Sequence, residues 1–152
     1  VKPGDEVLVK VSVLNDFYST RIFKTYEVAK HIVNLDIDKR LHMGDDSLVD
    51  DIARVDMGKG SIITFYSFAS KYCSHHFPTE YPIYDSYVEK VLKHFRKTNR
   101  FSDFNSNDLK IYSNFKGILS KFQDYYGLER YNLKDIDKYI WQLGKEKFPN
   151  KY

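Results

Sequence analysis

The sequence predicts an all-α fold, built as a single compact domain of six to seven helices over residues 1–152. Apolar residues recur at helical spacing through most of the chain, and strand-like alternation is confined to its start. Hydrophobic residues make up 42% of the 152 positions, which is enough for one domain with a sizeable core. No internal repeat or low-complexity segment divides the chain.

The first segment, residues 5–18, is ambiguous because its valines alternate as they would in a strand. Val7, Val11 and Leu14 also fall on one helical face. We predict a helix, because an isolated strand would have no partner. Charged residues 36–46 and polar residues 97–106 are expected to form loops.

Six further helices are predicted, and five of them follow a residue type that commonly caps a helix. Their expected ranges are 21–35, 47–55, 61–74, 86–96, 107–126 and 133–148. The expected caps are Ser19 or Thr20, Asp46 or Ser47, Asp85, Ser106 and Asn132, while the helix at 61–74 follows a tight turn at 56–61. The helix at 61–74 is apolar on nearly all sides, as a central buried helix would be.

Charge and cysteine content narrow the function classes. Lys and Arg number 24 against 21 Asp and Glu, a net charge of +3 that permits nucleic-acid binding without requiring it. The single cysteine, Cys73, excludes an internal disulfide framework and suits a reducing compartment, so we expect a cytoplasmic protein. No stretch approaches 18 apolar residues, so no membrane span is expected. We also expect a monomer without a cofactor.

Asp85 is the most site-like residue, because it ends a short apolar approach at the start of a predicted helix. Pro82 keeps the preceding residue out of helical geometry. After Asp85, apolar positions recur at helical spacing, and Ser86 and Glu89 stand three apart as in a capping box. A carboxylate is therefore held at a helix start. The simpler interpretation is that Asp85 is only an N-cap.

A Gly-x-Gly turn between two predicted helices gives a helix-hairpin-helix pattern around Gly58, Lys59 and Gly60. The glycines allow a tight turn and expose backbone N–H groups, and the start of the second helix adds positive potential. A DNA phosphate suits such a turn, and Lys59 adds a charge. An ordinary turn between helices is the alternative.

Two more features lie in the helix that follows this turn. Lys71 interrupts an apolar sequence and could reach a phosphate, or it could extend to solvent. Cys73, His75 and His76 do not complete a four-ligand metal site, because adjacent histidines point apart on a helix. We therefore expect no metal.

Asp137 and Trp141 stand four residues apart, on the same side of the last predicted helix. An aromatic plane beside a hydrogen-bond acceptor suits a flat polar ligand such as a nucleobase. The alternative places Trp141 in the core and Asp137 at the surface.

Taken together, residues 46–148 resemble the helix-hairpin-helix DNA glycosylase superfamily, and most closely its 8-oxoguanine glycosylase (archaeal-type) branch. Residues 57–60 are similar to the hairpin, and residues 81–88 to the segment that contains the family's aspartate. The resemblance implies that Asp85 is catalytic, that Gly58, Lys59, Gly60 and Lys71 contact double-stranded DNA, and that Asp137 and Trp141 hold a flipped base.

The sequence departs from this family at one important position. Bifunctional members carry a nucleophilic lysine at the start of the helix after the hairpin, where this chain has Ser61, Ile62, Ile63 and Thr64. Lyase chemistry is therefore not expected, whereas hydrolysis needs only the aspartate and a water. The rival hypotheses are a non-catalytic DNA-binding or protein-interaction module of the same fold, and a small-molecule binder.

Overall fold

The computed structural model describes residues 3–18 and 22–150, apart from the side chains of Pro3 and Phe17. Within these ranges the chain is mostly helical, with eight α-helices and one small two-stranded sheet, which confirms the all-α-like class. It divides into two compact units, unit 1 ending at Phe77 and unit 2 beginning at Pro78. None of the described helices has the length and apolar character needed to cross a membrane. The single-domain expectation stays a prediction.

Unit 1 begins with four helices. They are α1 (Pro3–Tyr18), α2 (Thr25–Asn34), α3 (Ile37–His42) and α4 (Ser47–Ala53). The helix prediction for the first segment is confirmed, with Val11 and Leu14 buried and Val9 and Val13 exposed. The Asn15 side chain exchanges two hydrogen bonds with the backbone of Ile22, at 2.8 and 3.0 Å, and so ties Ile22 to α1.

For this part of unit 1, one prediction falls outside the described residues and another is wrong. The expected caps Ser19 and Thr20 lie outside the described residues. The loop predicted at 36–46 is wrong, because α3 forms there and buries Ile37 and Leu41, which stand one helical turn apart.

The expected pair of helices around the Gly-x-Gly turn is also wrong, because residues 54–64 form a β-hairpin. Strand β1 (Arg54–Asp56) pairs antiparallel with β2 (Ile62–Thr64). The run of β-branched residues in β2 favours a strand over a helix start. Helix α5 (Tyr66–His76) therefore begins five residues later than predicted, and no helix N-terminus lies at the turn.

The turn of this hairpin uses all three residues of the Gly-x-Gly motif. Gly58, Lys59 and Gly60 have φ values of 95°, 53° and 74°. The Asp56 carboxylate accepts the Gly58 N–H at 2.8 Å. Left-handed backbone is easy for glycine and costs roughly 1 kcal/mol for a residue such as Lys59.

Unit 2 contains α6 (Ser86–Asn99), a 3-10 turn (Asp108–Lys110), α7 (Tyr112–Tyr125) and α8 (Leu133–Lys147). The predicted cap of α8 is confirmed, since Asn132 and Asp135 form a capping box. Helix α7 begins later than expected, because the 3-10 turn precedes it. The core is aliphatic and aromatic, and its fully buried members include Val91, Leu92, Leu109, Phe115, Leu119 and Ile140.

Helices α6 and α8 approach each other closely at Gly144. A Cβ added to Gly144 would lie 2.7 Å from the Cβ of Tyr87 and 2.9 Å from its backbone oxygen. Real Cβ contacts are essentially never this short. Helix α8 therefore needs glycine at this position for its packing against α6.

Candidate active site

The approach to α6, residues 81–84, is held in place by two long-range hydrogen bonds in unit 2. The Tyr112 hydroxyl donates to the Pro82 carbonyl at 2.6 Å, and the Ile83 N–H donates to Asp137 Oδ2 at 2.7 Å. The two side chains that make these bonds, Tyr112 and Asp137, are almost fully buried. An extended segment with no sheet partner has its backbone groups satisfied by side chains instead.

Asp85 caps α6 with half of its carboxylate. Its backbone is extended (φ −153°, ψ −178°), and Oδ1 accepts the Val88 N–H at 3.0 Å. The residue is only 7% exposed. Its Oδ2 accepts no hydrogen bond from any described residue. One oxygen of this carboxylate thus serves the helix, and the other is uncommitted.

The Asp137 carboxylate also makes its hydrogen bonds through one oxygen only. Oδ2 accepts from Ile83 and also from Lys134 Nζ at 3.3 Å, while Oδ1 accepts nothing from the described part of the chain. Burial raises the pKa of this carboxyl to about 6, although Lys134, the Ile83 N–H and Lys138 act to lower it. A raised pKa in a buried carboxyl is typical of catalytic sites and also occurs in structural networks.

Trp141 lies one helical turn beyond Asp137. Its ring packs edge-to-face on Tyr87, with centroids 6.5 Å apart, and the Lys145 ammonium lies 4.4 Å from the centroid of the indole. The side chain is 38% exposed, so part of the indole remains open to solvent. Tyr87 is in the first turn of α6, so Asp85, Asp137 and Trp141 all adjoin the start of that helix.

A charged cluster that the sequence did not predict supports the same helix start. The Tyr84 hydroxyl donates to Glu89, Lys110 donates to the Tyr84 hydroxyl, and Lys93 donates to Glu89 at 2.5 Å. Burial tends to raise the pKa of Glu89, but hydrogen bonds from Lys93, Tyr84 and Lys110 outweigh it and lower the pKa to about 2. Burial and Glu89 raise the pKa of Tyr84, so its hydroxyl stays protonated.

The predicted DNA contacts of unit 1 occupy different environments. Gly58, Lys59 and Gly60 are exposed at the hairpin turn, beside a groove of about 750 Å³. Lys71 is only 8% exposed, and its ammonium lies 4.9 Å from the centroid of the Tyr18 ring on α1. This placement gives Lys71 a packing role and offers no exposed cation to a phosphate.

The Cys-x-His-His segment of α5 belongs to no cluster of three potential metal ligands among the described residues. Cys73 is buried, and burial raises the pKa of its thiol to about 12. A thiol that is protonated at neutral pH is a poor nucleophile.

Comparison with known proteins assigns a family. The family described as the HI_0787 N-terminal domain matches residues 2–80 of this chain. An uncharacterized protein from Haemophilus influenzae is 51% identical over 146 residues, which are 95% of this chain and 69% of that protein. The chain belongs to the HI_0787 N-terminal domain family. No solved structure matches it.

The match to the HI_0787 N-terminal domain covers all of unit 1 that the structure describes and ends at residue 80. The segment that leads to Asp85 begins directly after it, at Tyr81. The candidate site therefore lies beyond the matched domain, in a part of the chain that the Haemophilus influenzae relative also covers.

Two features of unit 2 in this family member escaped the sequence analysis. An aromatic cavity of about 770 Å³ opens between α6, α7 and α8, lined chiefly by Phe95, Phe122, Tyr126, Tyr131 and Tyr139. A basic groove of about 650 Å³ follows α6. In the sequence, the aromatic content of 16% could have indicated the aromatic cavity, and the basic residues spaced along 90–100 could have indicated the basic groove.

Proposed function

We propose that this chain is a DNA glycosylase-like protein that binds DNA and hydrolyses the N-glycosidic bond of a damaged, 8-oxoguanine-type base. One observation carries the proposal. Two buried carboxylates, Asp85 and Asp137, adjoin the start of α6, and each binds a backbone N–H with one oxygen while the other oxygen is uncommitted. Partly exposed Trp141 lies beside them.

In the proposed reaction, Asp85 stabilises the positive charge that develops on the sugar. The bond between C1′ and the base nitrogen breaks, and its electron pair leaves with the base, which takes up a proton from solvent. Water then adds to C1′ and gives a proton to Asp85. A carboxylate has the same part in glycoside hydrolysis, and the capping hydrogen bond keeps Asp85 oriented.

Asp137 and Trp141 are assigned to the base. A flipped base costs a few kcal/mol to unstack, and stacking on an indole recovers part of that cost. Trp141 offers the exposed part of its ring, and Asp137 Oδ1 offers a hydrogen bond. With a pKa of about 6, Asp137 accepts a base N–H when ionised and donates to a base oxygen when protonated.

Hydrolysis is favoured over lyase chemistry in this proposal. Residues 62–64 lie where the resemblance would place the nucleophilic lysine of bifunctional glycosylases, and they form strand β2 and contain no lysine. The proposal keeps Gly58, Lys59 and Gly60 as DNA contacts, but they now lie at the tip of a β-hairpin, where Lys59 is exposed.

A non-catalytic DNA-binding or protein-interaction module is the second candidate. The observation that favours it is the β-hairpin at residues 54–64, which replaces the helix pair that gives the glycosylase superfamily its phosphate-binding turn. Such a module would bind DNA or a partner protein without releasing a base.

The test is base release from duplexes containing 8-oxoguanine, uracil or an adenine mismatch, at matched salt. We expect release from at least one duplex and a loss of roughly 100-fold or more in Asp85→Asn, because electrostatic stabilisation of this kind contributes 10²–10³ in rate. Asparagine is also a good N-cap, so the variant should fold.

Asp124→Asn is the matched control, since Asp124 is an exposed acid on α7 that belongs to the same unit. It should release base at the parental rate. No release from any duplex, or equal rates for Asp85→Asn and the parent, contradicts the catalytic proposal; DNA binding without release selects the second candidate.

A further inference from the structure

The exposed side of α6 carries a concentration of positive charge that the rest of the chain does not share. Residues 86–100 contain five Lys and Arg residues and one acid, Glu89, a net charge of +4. The whole chain has a net charge of +3, so the remaining 137 residues together are slightly negative. The basic character of the protein therefore resides in this one segment.

Helical geometry places these cations in a single track. The basic face of α6 is defined by Lys90, Lys93, His94, Arg96, Lys97 and Arg100, which line one groove of about 650 Å³. Residues three and four apart share a helix side, so the track is continuous for about 15 Å. Phe148 closes one side of the groove and packs on His94, with ring centroids 5.4 Å apart.

Few of these charges are neutralised within the described chain. Glu89 is the only described carboxylate that pairs with them, through Lys93. Lys90 donates to the neutral amide of Asn150, at 2.8 Å, and the side chains of Lys97 and Arg100 have no hydrogen bond or ion pair with a described residue. The groove thus has unused positive charge.

The backbone at Arg100 adds an independent observation. Arg100 ends α6 in left-handed conformation, with φ 52° and ψ 41°. Glycine is the residue that usually occupies this position after a helix. An arginine there costs roughly 1 kcal/mol of local free energy, and it lines the groove at the end of α6.

We propose that the basic face of α6 is a binding surface for the phosphate backbone of double-stranded DNA. The inference rests on the proposed function for the identity of the partner, and it moves the main backbone contact from the β-hairpin to α6. Duplex DNA carries one negative charge per about 1.7 Å of axis, so a 15 Å track faces several phosphates. An anionic membrane fits less well, because Val88, Val91 and Leu92 of α6 are buried and the helix presents no apolar side to lipid.

The experiment measures binding of the full chain to a short labelled duplex over a range of salt concentrations. In the double variant Lys97→Gln/Arg100→Gly we expect affinity to fall about tenfold and the slope of log K against log salt to decrease by about two, one for each lost phosphate contact. Glycine suits the backbone of position 100, so the variant should keep its fold.

The matched control is Lys121→Gln/Arg130→Gln, which removes one exposed lysine and one exposed arginine from the same unit, neither of which lines the basic groove. It should retain the parental slope. Equal slopes for the α6 variant and the parent overturn the inference, and so does binding to vesicles of anionic lipid in preference to the duplex.

Base release by the same proteins separates this inference from the proposed function. α6-dependent binding without base release supports the basic face and rejects the glycosylase. If base release depends on Asp85 but DNA binding is unchanged by the Lys97 and Arg100 substitutions, the glycosylase proposal is supported and the basic face is rejected as the DNA-binding surface.

Discussion

Asp137 connects two parts of unit 2 that are far apart in sequence. It accepts the N–H of Ile83 from 54 residues away, and its carboxyl is 2% exposed. Sequence spacing predicted that Asp137 and Trp141 share a helix side, but it could not predict this bond, because long-range contacts leave no periodic signal. Asp85, by contrast, was predictable as a cap from Pro82 and the helical spacing after it.

The charge of Asp137 should make stability depend on pH. Its folded pKa of about 6 lies above the ordinary aspartate pKa of 3.8, so the folded state binds its proton more tightly than the unfolded state. Its contribution to stability is therefore most favourable below about pH 4 and is lost as pH rises to about 6, by on the order of 2 to 3 kcal/mol.

This prediction is checked by urea unfolding of the parent and Asp137→Asn between pH 4 and 7. The parent should lose stability relative to the variant as pH rises, because Asn does not ionise and its amide oxygen can still accept the Ile83 N–H. Parallel pH profiles for the two proteins would show that Asp137 titrates normally.

At the scale of helices and strands, the elements that sequence predicted well are those with strong local signals. Helix α8 has both its cap, Asn132, and a regular apolar stripe. The hairpin was missed because Gly-x-Gly suits either a helix–helix turn or a strand–strand turn, and pairing of residues 54–56 with 62–64 decides between them. Helix α3 was missed because only Ile37 and Leu41 are buried in it.

The contact between α6 and α8 gives the sharpest prediction at this scale. Gly144→Ala places a methyl group within 3 Å of the backbone of Tyr87, so the helices must separate. We expect a loss of about 1 to 3 kcal/mol in the free energy of unfolding, as for other overpacked positions.

Gly117→Ala in α7 is the control, because a Cβ there meets no atom within 4 Å and its φ is not in the left-handed region. This variant should gain about 0.5 to 1 kcal/mol, since alanine is the better helix former. Chemical unfolding measures both changes, and a stabilised Gly144→Ala would show that α6 and α8 adjust without cost.

At the scale of the whole molecule, each unit has its own buried core. Ile52 is 1% exposed in unit 1, and Leu119 is 0% exposed in unit 2. The sequence did not predict this division, because residues 77–80 contain only one proline and no long polar linker.

Separate cores predict separate responses to core truncation. Leu119→Ala and Ile52→Ala should each lower the free energy of unfolding by about 2 to 5 kcal/mol. Leu119→Ala should speed amide exchange mainly in α6, α7 and α8, and Ile52→Ala mainly in α4 and α5. Hydrogen exchange followed by mass spectrometry of peptides distinguishes the two patterns. Acceleration throughout the chain in both variants would mean that the units unfold together.

The burial of Cys73 has a practical consequence for mapping these surfaces. It is the sole cysteine in the chain, it is 0% exposed, and burial raises the pKa of its thiol to about 12. Maleimides react with thiolates, so the folded native protein should take up little label. A cysteine introduced at exposed Thr98, beside the basic face of α6, can therefore carry a fluorophore or spin label on an otherwise native background.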